Sequence, residues 1–328
     1  MTSGFLVIDK PAGITSHDVV AAVRAVTGIK KVGHTGTLDP FATGVLPLAL
    51  GGATRLIQYL DESIKVYDAT VSFGTATTTG DPTGEVDRTA PLPTADEAEV
   101  RSVLANFRGE RMQVPPAYSA VKVGGKPLYH YARKGEDVRA AARRITIHDV
   151  ELVSYTPESL RVIITCSRGT YARVLADEIA RALGSAGHLS ALSRTRSGPF
   201  YIEEAVSLPQ LAEIAAAEPG HGWQDVLMSR GRRDERVKWR PRGEVLAALA
   251  PFIRSPVQAL PHLPLVDVST GDARRIRSGG APPPAPTGLA VGSRFLVVCG
   301  RDVVAIAENT LRGPRLVKVL PPEDAPGT

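Results

Sequence analysis

Between Lys31 and Arg55 the chain holds one formal charge in 23 residues, Asp39, set in Gly33-His34-Thr35-Gly36-Thr37-Leu38-Asp39-Pro40-Phe41-Ala42-Thr43-Gly44. Desolvating a carboxylate is expensive unless something pairs with it, so any fold of this chain must bring Asp39 a partner from elsewhere. Gly33, Gly36 and Gly44 permit backbone angles and close approaches that other residues forbid. Pro40 pushes Asp39 out of the helical region, and Lys30, Lys31 and Arg55 bracket the loop. Two readings stay open: a rigid turn aiming one acid at a positive surface, as a catalytic device would, and an ordinary Asx-type turn.

Around this loop the pattern predicts alternating element types. Phe5 to Ile8 reads as a buried strand, and Ser16 caps a helix whose apolar face is Val19, Val20, Val23 and Val26. A short helix fits Ala53 to Leu60. Lys65 to Phe73 alternates as a half-buried strand, with Tyr67 on the apolar face. Thr94 and Glu97 form a capping box for a helix reaching Phe107. Strands follow at Arg143 to Val153 and Leu160 to Cys166, then a helix from Tyr171 to Leu183 stopped by Gly184. This irregular mixture of strands and helices suggests an α+β fold with a mixed, largely antiparallel sheet rather than a doubly wound one.

After a helix at Val245 to Phe252, strands at Leu289 to Cys299, Val303 to Glu308 and Arg315 to Leu320 form a small β-rich unit. The expected division is 1–262 for the main domain and 263–328 for the β-rich one. Arg230 to Arg242 holds seven basic and two acidic residues and reads as a linker or a binding arm.

Composition narrows the chemistry. A net charge of +5 and a pI near 9.3 favour anionic partners, nucleic acid first. Two distant cysteines and scattered histidines match no disulfide framework or metal motif, so no metal site is expected. No apolar run approaches membrane-span length and no leader is visible, so the expected location is the cytoplasm, with no membrane partner. Arg173 falls at the start of a helix, where the dipole disfavours a cation unless an anion answers it. Asp39 is a candidate for that anion, and the pair would hold the carboxyl below its usual range. The stretch 109–145 interleaves basic and aromatic residues, which suits RNA contacts through phosphates and stacking.

Four segments then converge: Asp9-Lys10-Pro11-Ala12-Gly13, the Gly33 to Gly44 loop, Val114-Pro115-Pro116-Ala117-Tyr118-Ser119-Ala120-Val121-Lys122, and Cys166-Ser167-Arg168-Gly169-Thr170-Tyr171-Ala172-Arg173. In this order, over about residues 4 to 210, they resemble the bacterial TruB family of tRNA pseudouridine synthases. The resemblance implies isomerisation of the T-arm uridine at tRNA position 55, by a monomer without metal or cofactor, on a pseudouridine-synthase sheet followed by a PUA-like RNA-binding domain. It implies Asp39 as nucleophile, Tyr67 as the active-site tyrosine and Arg173 as the arginine paired with the aspartate. It also implies His34 as the filler of space left by the flipped base, Tyr171 and Leu192 as uracil-pocket residues, and Lys10 as support for the loop. An RNA chaperone without chemistry would suit the same basic bias, but has no need of an isolated Asp39 facing Arg173. A hydrolase built on Asp39 lacks a second carboxylate or histidine partner.

Overall fold

The computed structural model describes residues 3–216, 223–224 and 239–322. In chain order the main sheet begins with β1 (Gly4–Lys10), then helix α1 (Ser16–Thr27), β2 (Val32–His34) and β3 (Thr43–Leu50). A 3-10 segment at Gly51–Tyr59 leads to β4 (Lys65–Phe73), and a small hairpin of β5 (Thr75–Thr77) and β6 (Val86–Thr89) precedes α2 (Glu97–Ala105). Next come β7 (Gly109–Gln113), the short pair β8 (Lys122–Val123) and β9 (Lys126–Pro127), and α3 (Leu128–Ala132). The long hairpin of β10 (Arg143–Thr156) and β11 (Ser159–Cys166) is followed by α4 (Ala172–Ala182) and β12 (Gly187–Ser197). The last pieces are β13 (Phe200–Tyr201), β14 (Val206–Ser207), α5 (Leu208–Ala215) and β15 (Ile253–Arg254).

The sheet runs β14-β1-β3-β12-β4-β11-β10-β7, with β2, β13 and β15 attached at its flanks. Only the β1–β14 and β3–β12 pairings are parallel, so the mixed, largely antiparallel α+β architecture is as expected. β4 is the strand whose alternation the sequence displays: its residues are buried and half-buried by turns, with Tyr67, Ala69, Val71 and Phe73 inward. It is paired on both edges, to β12 and β11, which places Tyr67 at mid-sheet. The valine face of α1 packs with Ile8, Leu48 and α5 in the core on one side of the sheet.

Three local expectations are corrected. The cap of α1 is Thr15, whose side chain accepts from the Asp18 amide while Asp18 bonds back to Thr15. Ser16 is inside the helix, and its hydroxyl bonds both backbone groups of Leu38. The capping box of α2 is Asp96 with Glu99, two residues later than Thr94 with Glu97, because Asp96 is the residue with extended backbone at the helix mouth. The Ala53 to Leu60 segment is 3-10 rather than α. Most of the Arg230 to Arg242 stretch lies outside the described residues.

The C-terminal unit is a four-stranded sheet of β16 (Leu265–Asp267), β17 (Arg294–Cys299), β18 (Asp302–Glu308) and β19 (Arg315–Val319), crossed by a helix at Thr270–Arg277. Its Leu296, Val298, Val303, Ile306 and Leu320 share one buried cluster with Phe5, Val7, Val45 and Phe200 of the main sheet and Leu56 of the 3-10 segment. No helix among the described residues is long and apolar enough to cross a membrane.

Candidate active site

The Asp39 loop spans the point where β3 and β12 meet. Those strands pair in parallel over two positions, Thr43 with Ser193 and Gly44 with Arg194. The approach is closest at Gly44, whose φ is +96° and where a Cβ would fall 2.3 Å from the Arg194 carbonyl oxygen. From there the chain folds back as the loop, held from three sides. Lys10, wholly buried at the end of β1, donates through Nζ to the carbonyls of Pro11 (2.9 Å), Ile14 (2.8 Å) and Pro40 (3.2 Å). Ser16 grips Leu38, and the Gly13 amide donates to Pro40. Burial pulls the Lys10 ammonium down to about 8, against the attraction of Asp39 and Asp18.

Arg173 meets Asp39 across this loop. Its Nε is 2.9 Å from Asp39 Oδ2 and its Nη2 donates to Oδ1 at 3.3 Å. The Arg173 side chain is 5% exposed, whereas that of Asp39 keeps 35% of its surface open. An arginine fork engaging both carboxylate oxygens fixes orientation as well as charge. The rest of the fork is occupied: Nη1 donates to Thr79 O (2.7 Å) and Nη2 to Tyr118 O (2.8 Å), with Asp81 Oδ2 at 3.9 Å. One guanidinium thus ties the acidic loop, the β5–β6 hairpin and the loop between β7 and β8 together. The helix-start arginine finds its anion, as the dipole argument required.

The electrostatic expectation for Asp39 is corrected. Burial raises its carboxyl above the ordinary aspartate value and the negative charge of Asp81 adds to that, outweighing the lowering by Arg173 and Lys10. Ion pairing therefore limits an upward shift instead of producing a downward one.

Tyr67 is buried on β4, and its hydroxyl is pushed up by burial, with the Arg194 charge opposing and that of Asp39 adding. Leu192, buried on β12, is paired with Ala69 of β4, and its carbonyl accepts from the Thr43 hydroxyl at 3.5 Å. Tyr171 precedes α4; its amide donates to Gln113 Oε1 (2.8 Å) and its carbonyl accepts from Gln113 Nε2 (3.2 Å). His34 is half-buried at the end of β2 opposite Leu48, lowered first by burial and then by His17 and Arg194, with its Nδ1 buried and unbonded among the described residues. The geometry joins Asp39 with Arg173 directly and brings Lys10 onto the same loop through Pro40.

Sequence reasoning missed three residues. Asp81 is buried and accepts from Thr79 Oγ1 (2.7 Å) and the Thr83 amide (2.9 Å), so it stands fixed beside Arg173. Gln113 pins the mouth of α4. Arg194 lies 1% exposed in the centre of the sheet. The Thr-Gly-Asp-Pro-Thr run at Thr79 to Thr83 is a turn signal that could have exposed Asp81; Arg194 sits in a stretch with no legible period. Among the described residues no three His, Cys, Asp or Glu side chains gather as a metal-binding group.

Comparison with known proteins decides the family. The TruB family pseudouridylate synthase N-terminal domain matches residues 24–172, and the tRNA pseudouridylate synthase B C-terminal domain matches 173–228. The tRNA pseudouridine synthase B of Geobacter sulfurreducens is 40% identical over 312 residues, 93% of each chain. This chain belongs to the TruB family. The Aromatoleum aromaticum relative of the same name is 49% identical over 216 residues, 66% of this chain and 70% of its own. That of Bacillus subtilis is 46% identical over 217 residues, covering 64% and 70%. Among solved structures, a chain of a Cbf5-Nop10-Gar1 complex superposes with a TM-score of 0.63 at 25% identity, over 98% of this chain and 84% of that one. As a TruB-family pseudouridylate synthase, the protein isomerises uridine to pseudouridine.

Proposed function

We propose that the substrate is tRNA and the target the T-arm uridine at position 55, with Asp39 as the reacting carboxylate. The observation that carries this reading is the Asp39–Arg173 pair: an acid one-third open to solvent, gripped through both oxygens by a buried guanidinium. Relatives named tRNA pseudouridine synthase B, at 40–49% identity, support the choice of tRNA.

The reaction breaks the C1′–N1 bond, turns the uracil and forms C1′–C5; the C5 proton is lost and N1 gains one. A uridine inside a folded loop must first be extruded, at a cost of a few kcal/mol. The basic, aromatic insertion at about 109–145 supplies contacts that offset it; Tyr129 there is exposed with the Arg133 guanidinium 5.5 Å from its ring centre. Asp39 then attacks a carbon of the nucleotide or removes the 2′ proton to give a glycal, and both routes need an ionised, aimed carboxylate. Arg173 aims it. Tyr67 stacks on the uracil and assists loss of the C5 proton, Tyr171 and Leu192 line the pocket, and His34 fills the space the base vacates. Residues 1–262 carry the catalytic domain, and 263–328 add a PUA-like surface for the rest of the tRNA.

The test is tritium release from C5-labelled uridine in tRNA. Asp39→Asn abolishes release while tRNA binding persists, and mapping at single-nucleotide resolution places the product at position 55. Wild-type turnover by that variant would end the assignment.

A further inference from the structure

Arg194 is the largest fully buried side chain in the described protein, and it is a cation. Its Nε donates to Val45 O (2.8 Å), Nη2 to Gly36 O (3.1 Å) and Nη1 to Thr37 O (3.5 Å). Among the described residues no carboxylate lies within ion-pair distance, so three backbone carbonyls and the neighbouring Tyr67 hydroxyl are what offset its desolvation. A buried charge with so little compensation is a poor way to fill a core, where an apolar side chain of similar volume is neutral or better. The three carbonyls are not scattered. Gly36 and Thr37 lie just before Asp39 and Val45 shortly after it, so the guanidinium spans the loop from flank to flank. On β12 the same residue is paired with Gly44 on one side and Tyr67 on the other. At 1% exposure Arg194 presents almost no surface of its own to the site.

We infer that Arg194 is a positioning residue for the isomerisation: by clamping Gly36, Thr37 and Val45 it sets where the Asp39 carboxylate stands relative to Tyr67. This rests on the reading of Asp39 as the reacting group. Lysine at this position keeps the charge but cannot reproduce the planar fork across three acceptors. A shift of about 1 Å at a reacting group costs on the order of 100-fold in rate.

The experiment compares single-turnover pseudouridine formation, tRNA affinity by filter binding and thermal unfolding for wild type, Arg194→Lys, Arg194→Gln and Asp39→Asn. Both Arg194 variants are expected to fold and to bind tRNA as wild type does, while turning over about 100-fold more slowly. A purely structural role would instead lower the melting temperature and leave the rate of the folded fraction unchanged. That result, wild-type rates in both variants, or failure of both to fold overturns the inference. Asp39→Asn separates the two claims: if it is inactive while the Arg194 variants are normal, only the positioning role falls; if it turns over, the reading of Asp39 itself falls.

Discussion

Asp39 and Lys10 titrate in opposite directions from their ordinary values for the same reason, loss of water. For Asp39 the raised carboxyl places the acid limb of kcat/KM above the ordinary aspartate range. Arg173→Met removes the largest lowering influence, so that limb moves to still higher pH; an unmoved or lower limb would contradict the pairing. Lys10 loses its proton near pH 8, leaving two N–H groups for three carbonyls. A 13C-lysine NMR titration should show one resonance with a midpoint of about 8, absent in Lys10→Arg, and activity should fall through that midpoint. The sign for stability is the reverse. Between pH 8 and the ordinary lysine value the unfolded chain holds the proton that the folded one has lost, so the Lys10 contribution to stability grows with pH across that window.

At the scale of elements, the β3–β12 contact governs the site. Gly44→Ala sets a Cβ against the Arg194 carbonyl at a backbone angle hostile to side chains, and overpacking of this kind costs about 1–3 kcal/mol. Chemical denaturation should show at least that loss, with activity falling further than stability. Thr15→Ala, which removes only the α1 cap, should cost about 1 kcal/mol and leave turnover per folded molecule intact. The neighbouring strands β4 and β12 show what is legible in the sequence. β4 displays its alternation because both faces of a regular strand are uninterrupted from Lys65 to Phe73. β12 has no pattern to read: register shifts between Leu189 and Ala191 and between Arg194 and Arg196 break the period, and its largest fully buried side chain is an arginine. The Asp39–Arg173 pair was readable because an unpartnered acid and a misplaced cation each demanded an answer. Arg194 makes no such demand, since its partners include carbonyls of glycine, threonine and valine, which composition does not mark. Helix caps slipped by one or two residues because Thr15-Ser16 and Thr94-Ala95-Asp96 offer competing cap residues, and only backbone geometry chooses among them.

For the whole molecule, the shared cluster of Phe5, Val45 and Phe200 with Leu296, Val298 and Ile306 changes what truncation means. A tethered module would come away cleanly, leaving a stable core with weaker RNA binding. Here removal of residues 263–328 uncovers apolar side chains of β1 and β3, each worth about 1.5–3 kcal/mol when fully buried. The shortened chain should bind a hydrophobic dye and melt at least about 10 °C lower; an unchanged melting temperature would show that the two units are stable independently. The same cluster fixes a distance. β3 leads out of the Asp39 loop, β1 holds that loop through Lys10, and both strands also pack against the C-terminal sheet, so the gap between those two regions is set when the chain folds. An RNA that touches both is gauged against a span that does not stretch, and a substrate too short or too long for it must itself bend to be served.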